Sequence, residues 1–220
     1  MNRHLPIFIL FLTSLLFSCQ REIEDTPLDM GLDFQPIEIG LYWIYEVDET
    51  IVYGENDAEH SVYFIQDRII DYYFNEANEQ TYIVQRSKSE DQLNWQATTS
   101  YTLLLRNHTL VKTIANQPIV SLVFPINSGI SWNANTYRNE VEDNFEYLLE
   151  EEDKLRVNQE NSDDLVTYRD IRFEGYQRGI GLIEKYEEVL TYCSRNDCLG
   201  DQLINSGVIR HLNMIAHGED

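Results

Sequence analysis

The feature that most constrains the fold of this 220-residue chain is a period of two in its apolar residues. In the stretch "LYWIYEVDETIVY", the alternate positions are large and apolar: Leu41, Trp43, Tyr45 and Val47. Successive side chains of a strand point to opposite faces, so this alternation is typical of a half-buried strand. Near the other end of the chain, a second set of apolar side chains is expected to share one face: Val208, Leu212, Met214 and Ala216.

Further β-rich runs lie between these two stretches. They occupy residues 61–74, 81–86, 98–106, 109–114, 118–125, 154–159, 165–177 and 181–192. Clusters of residues that favour turns separate them, as in "INSG" and "ENSDD". About eight to ten short strands at near-regular spacing predict a mainly β fold: a single antiparallel sheet domain, curved into a barrel-like or sandwich form, with at most one or two short helices.

One segment, residues 139–155, does not show the period of two clearly. Its apolar residues fit helical spacing: Val141, Phe145, Leu148, Leu149 and Leu155. Residues 145–149 could equally form an edge strand. We favour one helix here.

The N-terminal stretch resembles a bacterial lipoprotein signal. Arg3 and His4 precede an apolar run, residues 5–17, that is shorter than the about 20 residues a membrane-spanning helix needs. Such a pattern is typical of a secretory signal peptide, residues 1–18, removed by cleavage. Residues 16–19, "LFSC", resemble a lipobox, which implies lipidation of Cys19. The alternative is an ordinary signal peptide with an incidental cysteine.

The region after Cys19 divides into a tether and a folded domain. Residues 19–36 combine charge with two prolines and no sustained apolar period, which favours a lipidated flexible tether. Residues 37–220 are predicted to form one β-rich domain. Gln20 after the cysteine is similar to lipoproteins sent to the outer membrane, on its periplasmic side or at the cell surface.

The charge balance limits the partners of this chain. It holds 38 acidic residues against 16 Lys and Arg, a formal net charge of −22, and loss of residues 1–18 makes the rest one unit more negative by removing Arg3. Such a surface repels phosphate backbones and anionic lipid, so we expect no nucleic-acid binding. Membrane attachment is expected through the lipid on Cys19, and the ligand could be a protein, a glycan or a lipid.

Two further cysteines lie close together, in "CSRNDC". Because an exported chain meets an oxidising compartment, Cys193 and Cys198 are expected to form a disulfide. Free thiols are the next reading. A metal site is disfavoured, since structural zinc needs four ligands.

No catalytic, metal or cofactor motif is present in the sequence. The four histidines after residue 18 have no neighbouring ligand at metal-binding spacing, and neither G-x-S-x-G nor H-E-x-x-H occurs. We therefore nominate no catalytic residue and no cofactor. Gly179 and Gly181 are expected to mark a bulge or a close backbone approach. Trp43, Trp95 and Trp132 are candidates for ligand binding, with core packing as the favoured alternative.

A resemblance to a known family rests on three stretches: "IEIGLYWIYEVDETIVY", "LVFPINSGISWNANTY" and "YQRGIGLIEKYEEVLTYC", the last followed by "CLGDQ". They resemble motifs of uncharacterised lipoproteins of Bacteroidetes-type bacteria: G-x-Y-W-x-Y, L-V-F-P, W-x-G-N and K/R-G-V/I-G-L. Ala134 stands where a glycine is usual. The resemblance covers nearly all of the mature chain and implies no assigned activity.

Three functions follow from these observations. The first, which we favour, is a non-enzymatic binding or structural module anchored at the outer membrane. The second is a lipid or lipoprotein carrier with an apolar cavity in a half-open barrel. The third is a hydrolase with two carboxylates in a polar cleft.

Overall fold

A computed structural model describes residues 29–220. The predicted signal peptide, Cys19 and residues 20–28 of the predicted tether lie outside the described residues. Within the described range, no helix is long and apolar enough to cross a membrane.

Twelve β-strands make up almost all of the described chain. The first six are β1 (Leu41–Gly54), β2 (Asp57–Phe74), β3 (Gln80–Ser89), β4 (Gln96–Arg106), β5 (Thr109–Ile114) and β6 (Gln117–Val123). The second six are β7 (Ser131–Asn133), β8 (Asn144–Glu151), β9 (Lys154–Asp163), β10 (Tyr168–Gln177), β11 (Gly181–Tyr192) and β12 (Ile204–Glu219). Between residues 29 and 220, the one helical element is a 3-10 turn, Leu32–Phe34.

The strands form one antiparallel sheet with up-and-down connections. Its order is β6-β5-β4-β3-β2-β1-β12-β11-β10-β9-β8-β7, so every pair of neighbouring strands is consecutive in the chain except the central pair, β1 and β12. This arrangement confirms the predicted fold class, a single curved antiparallel sheet. The strands are more numerous and several are longer than expected, because runs such as 61–74 continue as strand to the turn at each end.

The two edges of the sheet meet and nearly close it into a barrel. The backbone N–H of Val120 on β6 donates to the carbonyl of Ala134, just after β7, at 2.9 Å. The Trp132 indole N–H donates to the carbonyl of Val120 at 2.8 Å. The Tyr147 hydroxyl lies 2.8 Å from the carbonyl oxygen of Val123 and 2.7 Å from its nitrogen. We call this junction of β6 with residues 132–147 the seam.

The alternation predicted for β1 is confirmed. Trp43, Tyr45 and Val47 are buried on the inner face of the barrel, while Glu46 and Asp48 are exposed. The apolar inner face is therefore what curves the sheet around a common core.

A segment that the sequence analysis assigned to the tether closes one end of the barrel. The Phe34 side chain is 0% exposed and belongs to the core. The backbone of Gly179 donates to Asp33 at 2.7 Å, and that of Ile126 donates to Met30 at 3.2 Å. We call residues 29–40 the plug and this end the closed end. At the other end, residues 96–100 of β4 are exposed on both faces.

The helix favoured for residues 139–155 is wrong. Residues 144–151 form β8, residues 154–163 form β9, and the two strands pair as a hairpin. Phe145 and Tyr147 are buried on one face, whereas Leu148 and Leu149 lie toward solvent. The apparent helical spacing comes from those two exposed leucines.

The face expected for β12 also needs a correction. The register shifts between Ile44 and Tyr45, whose partners on β12 are Ala216 and Met214, so Ile215 is an extra residue in the ladder. Such a bulge reverses the inside-outside alternation beyond it. Ala216 therefore does not share the face of Leu212 and Met214, and it is exposed.

Candidate functional site

A cavity of about 200 Å³ lies inside the barrel, away from the plug. Five strands contribute to it: β2, β3, β5, β11 and β12. Four of its lining side chains are cationic: Arg86, Lys112, Lys185 and Arg210. In a chain with only 16 Lys and Arg, this is a strong local concentration of positive charge. We call this space the central cavity.

The rest of the central cavity is mostly apolar. Its other lining residues are Tyr63, Ile65, Ile114, Leu182, Leu212 and the single carboxylate Glu187. Ile114, at the end of β5, is 39% exposed, so the cavity lies toward the end of the barrel that faces solvent. A second void of about 20 Å³, which shares Lys112 and Leu182 with it, lies toward Trp43 and the plug.

Arg86 is held by a buried carboxylate. Its Nε and Nη2 donate to the two oxygens of Asp67 at 2.7 and 2.6 Å. The Tyr101 hydroxyl donates to the same carboxylate at 3.0 Å. Asp67 is 2% exposed, and a bidentate pair of this kind satisfies both of its oxygens. Burial would lower the pKa of Arg86, but Asp67 raises it, so the guanidinium remains charged.

A second network links β1, β10, β11 and β12. Lys185 lies 2.8 Å from Glu187 and 3.5 Å from Glu174. Arg210 donates to Glu187 at 2.9 Å and to Glu49 at 2.5 Å. Burial would raise the pKa of Glu174, but the charges of Lys185 and Lys112 lower it, so this buried carboxylate is ionised.

Lys112 differs from the other three cations. Among residues 29–220, no carboxylate lies within ion-pair distance of its ammonium group, and the group makes no hydrogen bond. Its neighbour is the ring of Tyr101, with 4.7 Å between Nζ and the ring centroid. Burial lowers the pKa of Lys112; the charges of Glu174 and Asp67 oppose this effect, and those of Arg86 and Lys185 add to it.

This arrangement is chemically suited to holding an anion. The carboxylates of Asp67, Glu174 and Glu49 are buried and do not line the cavity, whereas that of Glu187 does. Among residues 29–220, no group of three or more His, Cys, Asp or Glu side chains could hold a metal ion.

The three tryptophans lie apart, and none of them lines the central cavity. Trp43 is buried near the closed end and donates to the carbonyl of Ile180 at 2.6 Å. Trp132 lies at the seam, against the ring of Tyr147 at 4.5 Å. Trp95 lies in the loop after β3 and donates to Gln92 at 3.1 Å. All three indole N–H groups therefore bond to backbone carbonyls within the chain.

The sequence marked two other local features that the structure describes. Cys193 and Cys198 form a disulfide, with 5.9 Å between their Cα atoms, in the loop between β11 and β12. Gly181 has a φ of +108°, and a Cβ there would lie 3.2 Å from both Trp43 and Gln35. The β10–β11 turn thus requires glycine because the plug and Trp43 approach its backbone closely.

Sequence reasoning missed the cations of the central cavity. Lys112 follows Leu110 at the next position on the same side of β5, and Lys185 and Arg210 stand at comparable inward positions. The sequence did contain one signal for these cations: basic residues stand at positions where the alternation along a strand predicts a side chain that faces the core.

The fold and the site together define a class: an up-and-down meander barrel with one plugged end and a cation-lined internal cavity. No protein-family model matches the chain, and no curated protein matches it.

Two solved structures are similar to this chain. One is described as a "putative exported protein with YMCC-like fold" from Bacteroides fragilis, at 8% identity and a TM-score of 0.42, covering 84% of this chain and 99% of the other. The other is described as a "putative lipoprotein" from Parabacteroides distasonis, at 8% identity and a TM-score of 0.41, covering 84% and 98%. Identities and TM-scores this low leave the function of this chain to its own residues.

Proposed function

We propose that this protein is an exported lipoprotein, anchored to the outer membrane through Cys19, that works as a non-enzymatic module binding a small ligand inside its barrel. The observation that carries the binding role is the central cavity with its four cationic side chains. Export and anchoring rest on the N-terminal sequence pattern, and the disulfide fits an oxidising compartment.

The energetics of the barrel interior support a binding role. Buried ion pairs repay their desolvation only with good geometry, and apolar residues of similar volume often stabilise a fold as well or better. Here two ion networks fill the middle of a β core, in the positions where a structural barrel would be expected to place apolar side chains. Binding of a ligand by these charges would explain their presence in the core, whereas a contribution to stability would not.

The cavity gives less support to the two alternative functions. A carrier of diacyl lipid or of a lipoprotein needs a large apolar cavity, whereas the central cavity has a volume of about 200 Å³ and a charged lining. A two-carboxylate hydrolase needs a facing pair, and only Glu187 reaches the surface of the central cavity.

The first test is native mass spectrometry of the mature protein purified from its own host. We expect a small molecule to leave with the protein, and we expect the variant Leu212→Trp to lose it, since Leu212 lines the central cavity and is 4% exposed. Circular dichroism would show that the variant keeps its β-sheet. A ligand retained equally by the wild type and by Leu212→Trp would contradict binding in the cavity.

A further inference from the structure

The central cavity contains a cation that makes no direct contact with a carboxylate of the described residues. Arg86, Lys185 and Arg210 each face at least one carboxylate at 3.5 Å or less, whereas Lys112 faces none within residues 29–220. Lys112 is half-buried, and its ammonium lines the cavity. It is therefore the cation that an anion entering the cavity can pair with without displacing a carboxylate of the protein.

The other cation beside the cavity is also paired. Lys88 on β3 is the cross-strand partner of Ile65, which lines the cavity, so it lies on the inner face. Its ammonium lies 3.8 Å from the centroid of the Tyr63 ring and 3.3 Å from a carboxylate oxygen of Glu90. Lys112 is therefore the one cation around the cavity, within residues 29–220, that has no carboxylate at ion-pair distance.

Glu187 does not compete for the ammonium of Lys112. One of its oxygens lies 2.8 Å from Lys185 and the other 2.9 Å from Arg210. Both oxygens of this carboxylate are thus already paired with cations of the protein. An incoming anion would meet the ammonium of Lys112 rather than a free carboxylate.

The remaining walls select for an apolar body. Ile65, Ile114, Leu182 and Leu212 offer no hydrogen bond, and contact with them favours a hydrocarbon chain. The volume of about 200 Å³ is below the roughly 300–1,000 Å³ typical of drug-sized ligands, so the ligand must be small.

We infer that the central cavity binds a small aliphatic monocarboxylate, with the carboxylate paired to the ammonium of Lys112 and the chain against the apolar wall. This inference rests on the proposed function and adds the chemical class of the ligand. A dianion such as phosphate would meet only one ammonium without a carboxylate partner, that of Lys112, and it has no apolar part to contact the wall.

The test is isothermal titration calorimetry of the mature chain carrying Cys19→Ala, which keeps every residue of the barrel. The probes are hexanoate, hexanol and inorganic phosphate. We expect hexanoate to bind and the other two to bind much more weakly. In Lys112→Met, hexanoate affinity should fall roughly ten- to hundredfold, as expected when a hydrogen bond to a charged group is lost.

A matched variant controls for the loss of a lysine. Lys154→Met removes an ammonium from the outside of the barrel, where Lys154 pairs with Glu151 at 3.0 Å, and should leave hexanoate affinity unchanged. Thermal unfolding of both variants tests the fold. If Lys112→Met does not fold, Lys112→Gln serves in its place, because it retains a polar group without the charge.

Several results would overturn the inference. Equal binding of hexanol and hexanoate would show that the charge plays no part, and preferred binding of phosphate would show that the ligand class is wrong. Absence of hexanoate binding would also overturn it, while a different molecule that leaves with the wild type and is lost in Leu212→Trp would leave the proposed function intact. If neither a probe nor a host molecule binds, both proposals fail.

Discussion

At the scale of single residues, most ion pairs of this acidic protein lie outside the central cavity. Glu79, at the closed end, is one of them: Arg106 donates from Nε at 2.7 Å and from Nη2, and Asn75 donates at 2.8 Å. These hydrogen bonds, with that of Arg106 the strongest, lower the pKa of Glu79 from 4.5 to about 2. Such a pair fixes the β2–β3 turn against the end of β4.

This shift predicts a specific pH dependence of stability. A carboxylate whose pKa is lower in the folded state stabilises the fold above its unfolded pKa, and it loses that effect as the pH falls to the folded value. Glu79→Gln should therefore be less stable than wild type at neutral pH, and the difference should shrink between about pH 4.5 and about pH 2. Urea unfolding at a series of pH values measures it.

The control for this experiment is Glu55→Gln in the β1–β2 turn. Glu55 is exposed and forms no ion pair within residues 29–220. The Glu55→Gln variant therefore measures the effect on stability of removing one negative charge from an acidic protein. A stability difference for Glu79→Gln that stays constant over the whole pH range would contradict the assignment.

At the scale of elements, the seam is the weakest junction of the barrel. Every other strand junction is a ladder of backbone hydrogen bonds, whereas the seam depends on a few contacts, among them the Tyr147 hydroxyl with Val123. Tyr147 is 1% exposed and Val123 is half-buried, so loss of the hydroxyl removes a partner of the Val123 N–H and carbonyl in a place that water reaches poorly.

Tyr147→Phe should therefore lower the free energy of unfolding by roughly 0.5–1.5 kcal/mol, the net contribution of a typical hydrogen bond. Hydrogen exchange at the Val123 amide should accelerate in the same variant. Tyr53→Phe is the control, since Tyr53 is 57% exposed and its hydroxyl has only a 3.5 Å contact with Glu59. Equal effects of the two variants would mean that the seam does not need the hydroxyl.

The elements also show which parts of the fold can be predicted from sequence. β1 was predictable because Trp43, Tyr45 and Val47 alternate without interruption. β8 was not, because Leu148 and Leu149 lie toward solvent in a strand whose buried residues are only Phe145 and Tyr147. A local pattern cannot distinguish a leucine that faces solvent from one that faces the core.

The candidate site was harder to predict than the fold. Arg86, Lys112, Lys185 and Arg210 come from strands far apart in sequence, and each is an ordinary basic residue in its own stretch. Only closure of the sheet places them around one cavity. The bulge at Ile215 could not be predicted for a similar reason. A register shift depends on the partner strand, and the local alternation of apolar residues does not reveal it.

At the scale of the whole molecule, the first described residues of the chain lie at the closed end of the barrel. The plug begins at residue 29, and the ten residues from Cys19 to residue 28 can span at most about 35 Å when extended. β2 alone has 18 residues, a length of roughly 60 Å at 3.3 Å per residue. If Cys19 is the anchor, the closed end lies nearer the membrane and the central cavity faces away from it.

Fluorescent labels at two turns test this orientation. Glu76→Cys places a label in the β2–β3 turn at the closed end, and Glu55→Cys places one in the β1–β2 turn at the opposite end. In lipidated protein on vesicles with spin-labelled lipid, the label at residue 76 should be quenched more strongly. Adding Cys19→Ala should release the protein and abolish quenching at both positions. Stronger quenching at residue 55, or membrane attachment without Cys19, would disprove the orientation or the anchor.

The sheet order also determines where the entropy cost of folding falls. Ten of the eleven ladders join strands that are consecutive in the chain, so each closes only a short loop; the ladder of β1 and β12 alone joins distant segments. Loop-closure entropy rises with the length of chain between the contacts, and non-local pairings slow folding. Residues 41–123 and residues 131–219 thus form two meanders. Each of them can fold by adding neighbouring strands to a local hairpin. The pairing of β1 with β12 is the step that joins the two meanders into one sheet, whose outer edges then meet at the seam.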